Sequence, residues 1–294
     1  MTTNSRFERN LGFMSDDEQA LLQQSTISIA GAGGDGAMLA VQLARLGVGN
    51  FKLADPDPFE IENINRQAVC TDKTIGKNKA VAVAEYIYDI NPDVNVEVFD
   101  KGITKDNTEE FVKSSSLVID ETEFTLHALG VQLARASRAE NIPQMTALNI
   151  GFGAIVTTYH PTKGRKLEEQ LGFAIDEDIE EIASKEVKLD RWLPYLPSYG
   201  DLNVLDKVAK GEKSAPSIAP GVAVAAGLGA TQALLNIFEG KNNRPKPVYS
   251  PNAIVIDLMS LKSKTIKYNR FSHYRHLALA VGTNLLKRNP KASY

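Results

Sequence analysis

Residues 27–40 read ISIAGAGGDGAMLA. The apolar run 27–30 stops at Gly31-Ala32-Gly33-Gly34-Asp35-Gly36, and a helix-like stretch follows. Glycines permit a tight turn and close backbone approach, and a helix N-terminus favours negative charge. A strand turning on glycines into a helix is therefore a place to hold phosphates. Gly31, Gly33, Gly34 and Gly36 are the candidate phosphate-binding residues.

Outward from this turn, strand and helix signals alternate. FKLAD (51–55) reads as a second strand, and residues 76–91 read as a helix ending at Asn91-Pro92. VNVEVFD alternates as a strand. A helix over 106–113, the strand SLVID (116–120), a helix over 124–140 and the strand PQMTALN (143–149) continue the pattern. Such alternation predicts an α/β fold: a Rossmann-like, doubly wound, mainly parallel sheet with helices on both faces. Ligands in these sheets sit at the carboxyl ends of strands, where the glycine turn, Asp55 and Asp120 all fall. Residues 1–26 form an N-terminal arm and helix, with Ser15 as N-cap and Glu18 three residues on. Residues 160–220 change character, becoming charged and then rich in Pro and aromatics, and are expected as an insertion or lid within a single domain spanning 1–294. A helix over 221–238 and the strand AIVIDL close the pattern.

The glycine turn and Asp55, placed to accept hydrogen bonds from ribose hydroxyls, fit NAD and ATP equally well. The segment after Asp55 separates them. It presents Asp57, Asn63, Arg66, Gln67 and Lys79, which hydride transfer does not need. Two cations beside a triphosphate suit the charge that develops as pyrophosphate leaves. A carboxylate across the cleft could hold Mg²⁺, and Asp120 and Glu123 in VIDETEF are the candidates. The set describes nucleotidyl transfer from ATP to a carboxylate better than redox chemistry. Taken singly, Arg66 or Lys79 would be a solvated cation and Asp120 a helix cap.

These residues resemble the ThiF/MoeB/HesA proteins, relatives of the ubiquitin-activating enzymes. Members carry GxGGxG, a DxD at the second strand, N-x-x-R-Q, G-x-x-K and D-x-T-D-N in this order. The counterparts here are Gly31 to Gly36, Asp55-Pro-Asp57, Asn63-Ile-Asn-Arg66-Gln67, Gly76-Lys-Asn-Lys79 and Asp120-Glu-Thr122-Glu123-Phe124. The resemblance covers most of 5–160 and 218–260. It implies an ATP-dependent adenylyltransferase that activates the C-terminal carboxylate of a ubiquitin-like or sulfur-carrier protein, or of a peptide, releasing pyrophosphate. By the same resemblance the glycines cradle ATP, Asp55 binds the ribose, and Asn63, Arg66 and Lys79 stabilise phosphate charge. Glu123 stands where the family has a Mg²⁺-associated aspartate, and Phe124 replaces an asparagine. Arg9 matches an arginine that reaches the partner subunit's site, implying a homodimer. The zinc-binding Cys-x-x-Cys pairs and the thioester cysteine of many members are absent. Direct attack on the adenylate is then expected. Three alternatives stand beside this reading: a non-catalytic partner-binding relative, a tRNA-modifying dehydratase of the same family, and an NAD-dependent oxidoreductase.

The remaining features narrow the classes. The chain has 294 residues, 43% hydrophobic and 23% charged, with net charge −3, as expected of a globular protein with no general attraction to nucleic acid. The basic stretch 262–291 is the one candidate surface for RNA, and a solvated basic face is its plainer reading. Residues 219–238 are apolar but carry Thr231, Gln232 and Asn236, and read as a buried helix rather than a membrane span. The lone Cys70 forms no internal disulfide, and without a signal-like N-terminus a cytoplasmic location is expected. Cys70 reads as a small buried residue. His273 and His276 have metal-like spacing without acidic or thiol company, and His127 and His160 read as structural or turn residues. Trp192, Tyr195 and Tyr199 line a groove for a peptide tail or pack a lid.

Overall fold

The structure, a computed structural model, describes residues 5–209, 212–241 and 243–268. Its centre is one eight-stranded sheet: β1 (Thr26–Ala30), β2 (Asn50–Ala54), β3 (Asn95–Phe99), β4 (Leu117–Asp120), β5 (Gln144–Ile150), β6 (Gly153–Tyr159), β7 (Asn252–Asp257) and β8 (Lys262–Lys267). The order is β3-β2-β1-β4-β5-β6-β7-β8. The first five are parallel and the last three antiparallel additions. The helices are α1 (Asp16–Gln24), α2 (Gly34–Leu46), α3 (Lys79–Ile90), α4 (Thr108–Val112), α5 (His127–Ala139), α6 (Leu167–Leu171), α7 (Ile179–Ala183), α8 (Leu189–Trp192), α9 (Leu202–Ala209) and α10 (Ala219–Ile237).

The pleat sorts the parallel strands onto two cores. Ile27, Ile29, Leu117, Ile119, Met145 and Ala147 face α2, α3 and α10, while Ala30, Ala54, Val118 and Leu133 pack with α4 and α5 on the other side. The inner strands β1, β4 and the start of β5 are buried on both faces, which explains their near-continuous apolar runs, whereas the edge strand β3 alternates and is partly exposed. The expected doubly wound sheet is therefore present, and the order in which strands are added reverses between the parallel neighbours β1 and β4. Paired positions Ala30–Ala54 and Ala30–Asp120 bring the ends of β1, β2 and β4 level, making this the crevice where such sheets bind ligands.

Local signals set the element ends. Ser15 caps α1 by accepting from the Glu18 N–H while Glu18 accepts from the Ser15 N–H, a complete capping box. Asn78 caps α3 through the Val81 N–H. α10 is long and apolar enough to cross a bilayer by length and composition. It lies instead in the core, with Val222, Ala225, Ala226, Gly229, Ala230 and Ala233 buried and packed on α2, β5 and β6.

Two strands differ from the sequence reading. β6 is buried on both faces, so it lacks the alternation that marks a half-exposed strand. β8 reads as a basic tail, yet it is the sheet's edge, and Lys262, Lys264 and Lys267 sit on an exposed strand where lysine discourages further pairing. The segment 160–220 also differs from a simple lid. Leu167, Leu171, Ile182 and Trp192 form a core with Val131 and Ala134 of α5, away from the glycine turn. Only its last part returns to the crevice.

Candidate active site

The glycine turn joins β1 to α2. Gly31 has φ +94°, and a Cβ there would lie 2.4 Å from the Glu121 carbonyl oxygen. A Cβ on Gly36 would lie 1.9 Å from the Gly31 carbonyl oxygen, so helix and turn touch backbone to backbone. Gly33 and Gly34 differ: their nearest neighbours would stand 3.6 and 3.3 Å from an added Cβ. Those neighbours are side chains, Gln67 beside Gly33 and Val222 and Arg66 beside Gly34, at the N-terminus of a thirteen-residue helix, an end that favours an anion.

Asp55 follows β2. It is buried, and its carboxylate accepts from the Ala32 N–H at 2.7 Å and the Asp57 N–H at 2.9 Å. Burial pushes its carboxyl above the usual range, offset by these bonds and by the Lys79 charge. The residue thus ties the end of β2 to the glycine turn. Asp57 accepts from the Lys79 ammonium at 3.1 Å, and the Lys79 N–H donates to the Asp57 carbonyl. Lys79 is held at the first residue of α3, with its side chain 12% exposed against 65% for Asp57.

Residues 61–67 fold into a 3-10 turn and a following turn beside the glycines. Asn63 is buried, its side-chain oxygen accepting from the Glu60 N–H. Gln67 lies beneath Gly33, buried, with its amide oxygen unpartnered. The stem of Arg66 lies 3.8 Å from where a Gly34 side chain would begin, and its Nη1 donates to the Glu62 carbonyl and to Asn65 Oδ1. Gly31, Gly33, Gly34, Gly36, Asp55, Asp57, Asn63, Arg66, Gln67 and Lys79 are therefore gathered at one end of β1 and β2.

Asp120 does not join this group. Its carboxylate is buried under α5, accepting from the Thr122 N–H and hydroxyl and from Gln144, 2.8 Å from where a Gly130 Cβ would stand. The pleat places it on the α5 side, facing Gly130 and Gln144. The next residue, Glu121, turns the other way and accepts from the Ala147 N–H at 2.8 Å. Facing it is Asp35, whose Oδ2 accepts from the Asn149 N–H and side-chain amide at 3.1 and 2.6 Å, while Oδ1 is enclosed without a partner. Burial raises Asp35 to about 6, and burial together with the Asp35 charge pushes Glu121 well up. Sequence reading missed Asp35, Glu121 and Asn149. The only signals were an acid inside the glycine turn and a second acid beside Asp120.

Glu123 is exposed at the end of β4, contacted by the Thr125 hydroxyl at 3.4 Å. Arg9 is exposed in the turn Ser5–Asn10. Its neighbour Phe7 packs on Gly47, at the opposite end of α2 from the glycine turn, about 20 Å along a thirteen-residue helix. Cys70 is buried and donates to the Glu60 carbonyl, and burial pushes its thiol up, away from reactive thiolate chemistry. Trp192 is a core residue, and Tyr195 and Tyr199 both donate to Asp257, so these aromatics pack and hold the end of β7. Among the described residues no group of three or more His, Cys, Asp or Glu is arranged to hold a metal. His273, His276 and most of the basic stretch lie outside the described residues.

The family model described as the ThiF family matches residues 7–275. The chain belongs to the ThiF family. Among curated ThiF relatives, the SAMP-activating enzyme E1 of Haloferax volcanii is 35% identical over 144 residues, covering 49% of this chain and 52% of that protein. The sulfur carrier protein ThiS adenylyltransferase of Escherichia coli is 30% identical over 145 residues, covering 49% of this chain and 57% of that protein. The chain spans about half the length of the curated relatives it matches. Among solved structures, E. coli MccB with ATP superposes with a TM-score of 0.67 at 19% identity, covering 92% of this chain and 72% of that one. PaaA superposes with a TM-score of 0.62 at 24% identity, covering 85% and 66%. These two likenesses establish the shared fold of this ThiF-family chain.

Proposed function

We propose that this chain is an ATP-dependent adenylyltransferase that activates a carboxylate as an acyl adenylate. The observation that carries the reading is the convergence of the glycine turn, Asp55, Arg66 and the Asp57–Lys79 pair at the strand-order reversal of a ThiF-family sheet. A carboxylate oxygen attacks the α-phosphorus, a new O–P bond forms, and the bond to the β-phosphate oxygen breaks, pyrophosphate leaving with the electron pair. The nucleophile is already ionised, so the chain need supply only position and charge stabilisation. In this reading Arg66 and Lys79 meet the charge on the departing phosphates, with Asn63 and Gln67 shaping the turn beside them. Asp55 takes the ribose. Glu123, exposed at the mouth, is the residue to accompany Mg²⁺ on the phosphates.

The carboxylate belongs to the C-terminus of a ubiquitin-like or sulfur-carrier protein, or of a peptide. The relatives support this class: one is the adenylyltransferase of the ThiS sulfur carrier, another is the SAMP-activating enzyme, and MccB has been crystallised with MccA. The remoteness of Arg9 from its own glycine turn supports a homodimer in which it serves the partner's site. The test is thermal stabilisation by Mg·ATP beside NADH, followed by pyrophosphate release with carboxylate partners. Stabilisation by Mg·ATP and pyrophosphate formed only with a partner carboxylate are expected. Stabilisation by NADH alone would overturn the reading.

A further inference from the structure

Arg66 begins a series of hydrogen-bonded contacts that crosses four separate segments. Its Nη1 donates to Asn65 Oδ1 at 2.8 Å. Asn65 Nδ2 donates to the Ser217 carbonyl at 3.0 Å, and the Ser217 hydroxyl donates to Asn149 Oδ1 at 3.0 Å. Asn149 donates its amide and backbone N–H groups to Asp35 Oδ2 at 2.6 and 3.1 Å. Every link donates in the same direction, from a guanidinium cation toward a carboxylate, with Ser217 joining the two halves mechanically because it accepts on its backbone carbonyl and donates from its hydroxyl. The loop after β2, residues 212–218, the end of β5 and the first turn of α2 are tied together by it.

The chain engages only one nitrogen of the arginine fork. A carbonyl and an amide oxygen hold Nη1, whereas Nε and Nη2 carry no hydrogen bond among the described residues. Guanidinium presents five donors in a fixed plane, so gripping one nitrogen orients the others. Asp35 would otherwise be out of place. A carboxylate in the first turn of a phosphate-binding helix repels the ligand unless its charge is engaged, and here two N–H groups and the Arg66 charge engage it.

We propose that Asp35 is a positioning residue: through Asn149, Ser217 and Asn65 it holds Arg66 so that the free side of its fork is presented to nucleotide phosphate, and it pins residues 212–218 as a strap across the same end of the sheet. The ligand half of this rests on the function proposed above; the anchoring of the strap does not. A long side chain fixed beforehand loses less freedom on binding, so breaking any link weakens the nucleotide contact without touching it.

The experiment titrates a fluorescent ATP analogue with Mg²⁺ into wild type and variants, and in parallel follows tryptic cleavage after the exposed Lys213. Asp35→Ala, Asn149→Ala and Asn65→Ala are each expected to weaken binding by about fivefold to tenfold, and to add nothing in an Arg66→Ala background, as members of one network do. Asp35→Asn keeps an oxygen for Asn149 and is expected to recover most of the loss. Cleavage after Lys213 is expected to accelerate in Asp35→Ala and Asn149→Ala. If Asp35→Ala does not fold, Asn149→Ala and Ser217→Ala carry the same test. Losses that multiply with Arg66→Ala, or an Asp35→Asn variant as weak as Asp35→Ala, would overturn the positioning role. Wild type that binds no nucleotide would sink the proposed function and the ligand half together, and unchanged Lys213 cleavage would sink the anchoring by itself.

Discussion

Asp35→Asn should stabilise the protein at neutral and alkaline pH. Asp35 is enclosed beside Glu121 and Arg66, with Asn149 on one oxygen and nothing on the other. Burial raises its carboxyl from an ordinary 3.8 to about 6, ahead of the lowering by Asn149 and Arg66. At about 1.4 kcal/mol per pKa unit, ionising it in the fold costs about 3 kcal/mol more than in the unfolded chain. Its partial exposure and its coupling to Glu121 reduce this to about 2 kcal/mol. A raised carboxyl favours the fold while protonated. That contribution is present below about pH 4 and is lost as pH rises through about 6. Asparagine supplies the same oxygen to Asn149, carries no charge, and offers its N–H₂ where the carboxylate oxygen is unpartnered. Melting followed by circular dichroism should therefore show Asp35→Asn about 3 °C above wild type at pH 8, with the gap closing toward pH 4. Equal melting at pH 8, or a gap that widens as pH falls, would refute the reasoning.

The glycines should divide by what they face. Gly36→Ala places a methyl 1.9 Å from the Gly31 carbonyl and should cost several kcal/mol or prevent folding, whereas Gly33→Ala should change stability by about 1 kcal/mol and remove Mg·ATP stabilisation. Arg66→Ala should fold normally and lower pyrophosphate formation by about 10²–10³-fold if it meets transition-state charge. Cys70→Ala should keep full turnover, because its thiol is buried and raised; loss of turnover without loss of folding would restore a covalent relay. If the proposed homodimer forms, mixing the Arg9→Ala and Arg66→Ala variants should recover activity through heterodimers with one intact site, and no recovery would place Arg9 outside a partner's site.

Much of this was legible in the chain. Alternating apolar and helical segments set the parallel sheet, because every strand between two helix layers must be apolar and every crossover must be helical. Gly31 to Gly36 and Asp55 marked the candidate site because they follow the ends of β1 and β2 directly in sequence, and Arg66 and Lys79 come in the segment after Asp55. β6 and β8 were not legible as strands: one is buried on both faces and shows no alternation, and the other wears the lysines of an edge.

Asp120 and Glu121 mark the boundary between the two kinds of knowledge. From sequence both are acids at the end of one strand, and their neighbourhood alone favours either. The pleat gives adjacent residues opposite faces, so one parity puts Asp120 under α5 against Gly130 and turns Glu121 toward Asp35 and Ala147. That parity is decided by which of Val118 and Ile119 meets which helix layer, a property of packing across the whole sheet. The same holds for the chain from Arg66 to Asp35, whose members lie up to 152 residues apart along a single link. Sequence by itself determined the sheet, the glycine turn and the two cations beside it, since those are read from residues in order. Only the folded molecule could decide which acid faces the crevice and what holds the arginine, since those depend on neighbours in space.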